Sequence, residues 1–187
     1  MNEGIKNFFS FLLEVLKIVV VASVIVLPIR FFLFQPFLVH GSSMEPSFHN
    51  GDYLIVDEIS YRFRDPQRGE VVIFDYPLNA SQRFVKRIIG LPGEKLVVRE
   101  QEIEIETVKG GKIVLDESSY LQDLPSMSGF SITLGPEQYF VLGDNRSFSF
   151  DSRNWGPVSG EEMVGRVWIK LWPFSEGSFV SLPNYEL

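Results

Sequence analysis

Hydrophobic positions follow two regimes along the chain. From Phe8 to Val39 the only charged residues are Glu14, Lys17 and Arg30, and the 12 residues from Ile18 to Ile29 carry no charge. That core alone is too short for a bilayer, which takes about 20 helical residues. Extending it to Phe11–Phe34 supplies the length. Lys17 and Arg30 then stand near its ends, where long side chains reach back to the polar interface. Glu14 and Lys17, three apart, share a helix face, which lowers the cost of both. The pattern predicts a transmembrane helix within residues 1–35. A cleaved secretory leader and a buried core helix are the competing readings. Against the leader, no small-x-small site follows the core, only Pro28, Arg30 and a run of Phe.

Beyond Pro36 the texture becomes that of strands and turns. Tyr53–Val56, Val71–Phe74 and Arg83–Leu91 are rich in β-branched and aromatic residues, with Asn50-Gly51, Arg68-Gly69 and Pro92-Gly93 between them. Ile103, Ile105 and Thr107 alternate with Glu104 and Glu106. Gly110-Gly111 then precedes Ile113-Val114-Leu115, a hairpin pattern. Tyr139–Leu142 and Met163–Trp172 are later strands, Ser159 with Glu162 caps a short helical turn, and Glu117–Gly129 reads as loop or short helix. The expectation is one mainly antiparallel β domain over residues 36–187, closed or nearly closed so that few edges are exposed. Because Phe31–Val39 stays apolar up to Gly41, its first strand starts at the membrane surface and Ser43 lies close to lipid.

Charge narrows the partners. Of 24 acidic residues 22 lie beyond position 34, against 14 of 17 basic ones, so the body carries −8. That argues against nucleic acid and fits a soluble extracytoplasmic domain. Lys6 and Lys17 precede the apolar core, and nothing basic follows Arg30 until Arg62, the bias of an inside amino terminus. There is no cysteine, hence no disulfide framework or thiolate site. Two histidines, His40 and His49, are too few for a typical metal cluster, and neither metal nor cofactor is expected.

Ser43, in Gly41-Ser42-Ser43-Met44-Glu45-Pro46, is a candidate nucleophile that needs a base. His40, three residues earlier in an extended segment, points to the opposite face. His49 sits in a turn-like His-Asn-Gly-Asp run, and both read as surface residues. Lys86 lies in Phe84-Val85-Lys86-Arg87-Ile88-Ile89. Lysine titrates at about 10.4 in water and must lose hydration to be neutral near physiological pH. Its apolar neighbours supply that environment, particularly with lipid sealing one side. On the pattern alone a second reading stands equally: Lys86 and Arg87 are ordinary strand charges, one solvated and one paired.

Three blocks, in order, resemble bacterial type I signal peptidases, the membrane-anchored serine–lysine proteases that remove leader peptides from exported preproteins. They are Gly41–Ser47 with Gly51-Asp52, then Lys86–Glu94, then Gly143-Asp144-Asn145-Arg146 with Ser149–Arg153, supported by Arg68–Val72. The resemblance runs from the anchor to about Trp172 and implies a fold shared with self-cleaving repressors. It implies Ser43 as nucleophile, Lys86 as general base and Ser149 as the hydroxyl orienting the lysine. Asp144, Arg146 and the Asp151–Arg153 pair become structural supports, with Arg87 a partner for Asp144. The Ser43 N–H, with Gly41 as a further donor, is expected to bind the oxyanion, and Val39 and Val85 to line a small substrate pocket. Implied partners are preprotein signal peptides with small-x-small sites, membrane lipid and the export machinery. Three departures stand out: Gly41 replaces a serine found in some members, Ser147-Phe148 replaces a more polar pair, and Arg99–Tyr139 is shorter than in some relatives. A transfer-system processing peptidase and an inactive, anchored peptide-binding β domain are the alternatives; a self-cleaving repressor lacks its DNA-binding module here.

Overall fold

The computed structural model describes residues 3–28, 34–121 and 127–185. Helix α1 spans Glu3–Pro28. Its 26 residues extend about 39 Å at about 1.5 Å each, more than the roughly 30 Å of a bilayer's hydrocarbon core. Asn7–Val24 has a mean hydropathy of 1.9, and none of it is buried against the rest of the molecule. Pro28 is the helix's last described residue and Phe34 already belongs to a strand; residues 29–33, Arg30 among them, lie outside those described.

The body is built from two antiparallel sheets. Its strands are β1 (Phe34–Leu38), β2 (Tyr53–Asp57), β3 (Val71–Tyr76), β4 (Asn79–Gly90), β5 (Lys95–Arg99), β6 (Glu102–Glu106), β7 (Lys112–Val114), β8 (Phe130–Thr133), β9 (Gln138–Leu142), β10 (Val158–Ser159), β11 (Met163–Trp172) and β12 (Ser178–Phe179). A short helix, α2 (Ser152–Trp155), precedes β10. The large sheet runs β1-β2-β11-β3-β4-β9-β10, with β12 also on β11; the small one runs β7-β6-β5-β8. Period-2 alternation is clearest in β6, where Ile103 and Ile105 are buried and the glutamates face outward. The small sheet packs Leu96, Val98, Ile103 and Ile105 against Ile89, Phe140 and Leu142 of the large one.

Closure is not how the edges are managed. The large sheet remains open at β1 and β10, although β10 is only two residues long and offers little to pair with. The ten-residue β11 is bulged twice against β2 and bends the sheet while pairing with β2, β3 and β12. The Ser159–Glu162 capping box forms as expected, over a single 3₁₀ turn. Described residues on either side of 122–126 carry no regular element between β7 and β8.

β4 positions the site. Its first half is an exposed hairpin arm, but from Val85 to Gly90 every residue is buried between β3 and β9. A lysine in that second half cannot remain a solvated strand charge.

Candidate active site

The chain leaves the large sheet after Leu38 and turns at Gly41, whose φ of 87° is strained for any other residue. Its N–H donates to Asn50 Oδ1 at 2.9 Å. Residues 42–48 then form tight turns, with Glu45 N–H donating to Ser42 O at 3.2 Å and Phe48 N–H to Met44 O at 2.9 Å. Met44 and Phe48 are buried among Leu54, Val56, Val71 and Ile73, which anchors the residue before them, Ser43. The extended geometry expected for 40–43 does not form. His40 is exposed at the rim of the site, and neither histidine bonds Ser43.

Lys86 Nζ donates to Ser43 Oγ at 2.7 Å and to Val85 O at 3.0 Å. Lys86 is only 4% exposed, and no carboxylate among the described residues forms an ion pair with it. Burial pulls its pKa down from 10.5 to about 8, against smaller upward pulls from Asp151 and Asp144. The Phe84 ring, 5.7 Å from Nζ, faces the cation. Once neutral, the amine turns acceptor and the Ser43 hydroxyl donates to it. This is the arrangement a proton transfer from an alcohol to an amine requires.

A carboxylate–guanidinium frame holds the serine turn and the loop after β9. Arg87, the next residue on β4, donates to Asp144 Oδ1 at 2.8 Å and Oδ2 at 2.6 Å, and Ser47 Oγ donates to the same carboxylate at 2.5 Å. The guanidinium lies 4.0 Å from the centre of the Tyr120 ring. Arg146 forks onto Glu117 with one bond at 2.9 Å, and Arg153 pairs with Asp151 at 2.8 Å while donating to the carbonyl of Arg146 at 2.7 Å. Asn145 N–H donates to Ser43 O at 3.0 Å, joining the loop directly to the serine. Gly143 must be glycine: a Cβ there would collide with the Ser43 carbonyl oxygen and the Ser149 hydroxyl.

Ser43 and Lys86 open onto a recess of about 320 Å³ lined also by Phe37, Phe84, Val85 and the rings of Phe148 and Phe150. Val85 is among its lining residues. Val39 is not; it is 2% exposed and packs into the core with Leu54 and Val56. Gly41 cannot serve as a donor in this conformation, because its N–H is committed to Asn50. The Ser43 N–H has no partner among the described residues. Ser149 differs from expectation as well. Its hydroxyl is buried near Gly143 but makes no hydrogen bond, to Lys86 or to any other described residue.

The signal peptidase family, peptidase S26, matches residues 12–172. The chain belongs to that family. It is 39% identical over 166 residues to a probable signal peptidase I-2 of Synechocystis, covering 86% of this chain and 73% of that protein. Signal peptidase I of Leptolyngbya laminosa is 32% identical over 93% of this chain and 87% of its own. A crystal structure of a signal peptidase I from Enterococcus faecalis shares 32% identity, covers 56% of this chain and 97% of that one, and has a TM-score of 0.45. Family membership and the exposed apolar helix together support a single-pass membrane protein. Of the groups holding the site, Glu117, Tyr120, Ser47 and Asn145 carried no signal in the sequence as partners. Ser47 and Asn145 stood inside recognised blocks, whereas Glu117 lay in a segment read as loop or short helix.

Proposed function

We propose that the protein is a signal peptidase I, a serine endopeptidase that removes leader peptides from translocated preproteins. Residues 1–35 form the inner tail and anchor, and residues 36–187 the peptidase domain on the outer membrane face. The observation carrying this reading is the 2.7 Å contact between the Ser43 hydroxyl and a buried lysine amine that has no carboxylate pair among the described residues. The names of the curated relatives support the substrate class.

In the reaction, neutral Lys86 takes the hydroxyl proton as Ser43 Oγ bonds to the scissile carbonyl carbon. The oxyanion forms beside the unengaged Ser43 N–H. Collapse breaks the C–N bond, and Lys86 returns the proton to the leaving amine. Lys86 next deprotonates water, which attacks the acyl-serine; the C–Oγ bond breaks, Lys86 passes the proton to Ser43 Oγ, and the leader is released with both residues restored. The frame of Arg87–Asp144 and Arg146–Glu117 holds the turn without touching the reacting atoms. The small residue that enters beside Ser43 meets Val85, which lines the same recess.

The test is cleavage of a synthetic leader peptide with a small-x-small site by the full chain in detergent. Ser43→Ala and Lys86→Met are each expected to lower kcat by at least about 10³-fold, the upper range for loss of a nucleophile or base. Folding is followed by circular dichroism. Substantial turnover by either folded variant removes that residue from the mechanism.

A further inference from the structure

We propose, building on the peptidase reading, that Phe148 and Phe150 form an aromatic collar selecting leaders with a large apolar residue near the cleavage site, at a position other than the small ones. The two rings flank Ser149, whose hydroxyl is buried toward Gly143, while they stand out at 76% and 54% exposure. Both line the recess that holds Ser43 and Lys86.

Their placement is built rather than incidental. The loop carrying them is fixed before Phe148 by Arg146 on Glu117 and after Phe150 by Arg153 on Asp151. Arg153 also donates to the carbonyls of Arg146 and Ser149, at 2.7 and 3.4 Å, which ties down the backbone between. Phe148 N–H donates to Asn145 O at 3.1 Å. Phe150 stacks edge-on against Trp155 at 4.8 Å and Tyr76 at 6.3 Å, and Tyr76 lies 4.8 Å from Phe84. Phe84 and Phe150, both lining the recess, are therefore linked through Tyr76 behind them. Phe148 has no ring contact among the described residues, so one aromatic face at the mouth is left open. Phe37 of β1 lines the same recess. Arg83, the one Lys or Arg besides Lys86 among the described residues lining it, is exposed and paired with Asp75 at 3.1 Å, so the walls attract apolar rather than acidic groups. Apolar surface left open beside a reactive centre gains from covering by substrate, and aromatic rings add directional contacts.

The occupant is thus a Leu, Phe or similar side chain of the leader peptide. The test uses the full chain in detergent and one small-x-small peptide, varied singly from three residues before to two after the bond. At each position Phe and Leu are compared with Ser. At one position the wild type is expected to favour the apolar residue by about tenfold in kcat/KM, about 1.4 kcal/mol. The double variant Phe148→Asn with Phe150→Ala is expected to bring that ratio within twofold of unity, and Phe148→Leu to retain most of it. A flat wild-type profile with intact cleavage overturns the collar alone, as does a preference surviving the double variant. Failure of the wild type to cut any peptide overturns the peptidase reading and the collar together. A loss shared by all peptides and seen only with phosphatidylglycerol-containing vesicles marks lipid contact and also overturns the collar.

Discussion

Lys86 and Arg87 are adjacent on β4, equally buried at 4% exposure, and end in opposite circumstances. Arg87 meets Asp144 through two hydrogen bonds and stays charged; Lys86 meets a hydroxyl and a carbonyl and is pushed toward neutrality. Alternation sends the two side chains to opposite faces. On one face the cation is compensated and fixes structure. On the other it is left short of an anion, and the resulting instability of its charged form is what makes it chemically useful.

Exchanging the identity of the uncompensated cation gives the largest expected effect. Lys86→Arg keeps charge and length but cannot release a proton at any accessible pH. Leader-peptide kcat is expected to fall by at least about 10³-fold, the range for loss of a general base. Retained turnover in the folded variant would show that the neighbouring amine is not the proton acceptor.

On the compensated face the damage should appear in stability. Arg87→Met strands the Asp144 carboxylate, 3% exposed, with Ser47 as its remaining side-chain donor. Breaking one partner of a buried pair costs about 3–5 kcal/mol, to be read from urea unfolding. Adding Asp144→Leu should recover much of the loss, because the stranded charge is then gone. A loss below about 1 kcal/mol in Arg87→Met would place the pair among those that contribute little.

How much of this contrast was legible depends on how local each cause is. β2, β3, β6, β9 and β11 followed from runs and alternation, and the Ser159–Glu162 cap from residue types at fixed spacing. β5 and β8 were missed because Lys95–Arg99 is bracketed by charges and Phe130–Thr133 is only four residues long. That both β4 cations are buried could not be read from their neighbours alone. It depends on β3 and β9 covering both flanks of one half of the strand, a tertiary fact. The Arg146–Glu117 contact spans 29 residues and enters a segment with no periodicity. Val39 was placed in the pocket only by resemblance, and its own residue type fits a recess wall and the core behind it equally; here it packs in the core.

The pH dependence of catalysis separates the two cations without mutation. Only neutral Lys86 accepts a proton, and its pKa is about 8. Well below that value the neutral fraction drops tenfold per pH unit, so kcat/KM at pH 6 should be about 100-fold below its alkaline plateau. Arg87 contributes nothing across that range, since it remains protonated throughout. A profile flat from pH 6 to 9 would exclude a lysine base.

The smallest effect is also the most discriminating, because it runs against the usual direction of core substitutions. Lys86 has a folded pKa of about 8, below its ordinary 10.5. A depressed lysine destabilises the fold wherever it is protonated in both states, which is below pH 8. Between the two pKa values the unfolded chain holds the proton and the folded one does not, so stability rises with pH. The full shift corresponds to about 3 kcal/mol at about 1.36 kcal/mol per unit. Lys86→Met removes that cost along with two hydrogen bonds, so the folded variant should be more stable than wild type at pH 7 by roughly 1–3 kcal/mol. Its advantage should vanish as pH passes 10.5, where the wild-type lysine is neutral in both states. Arg87→Met, by contrast, destabilises throughout. Unfolding of both variants against wild type at pH 7 and above 10.5 measures the difference, and a Lys86→Met that is less stable at pH 7 would mean that its ammonium is well accommodated after all.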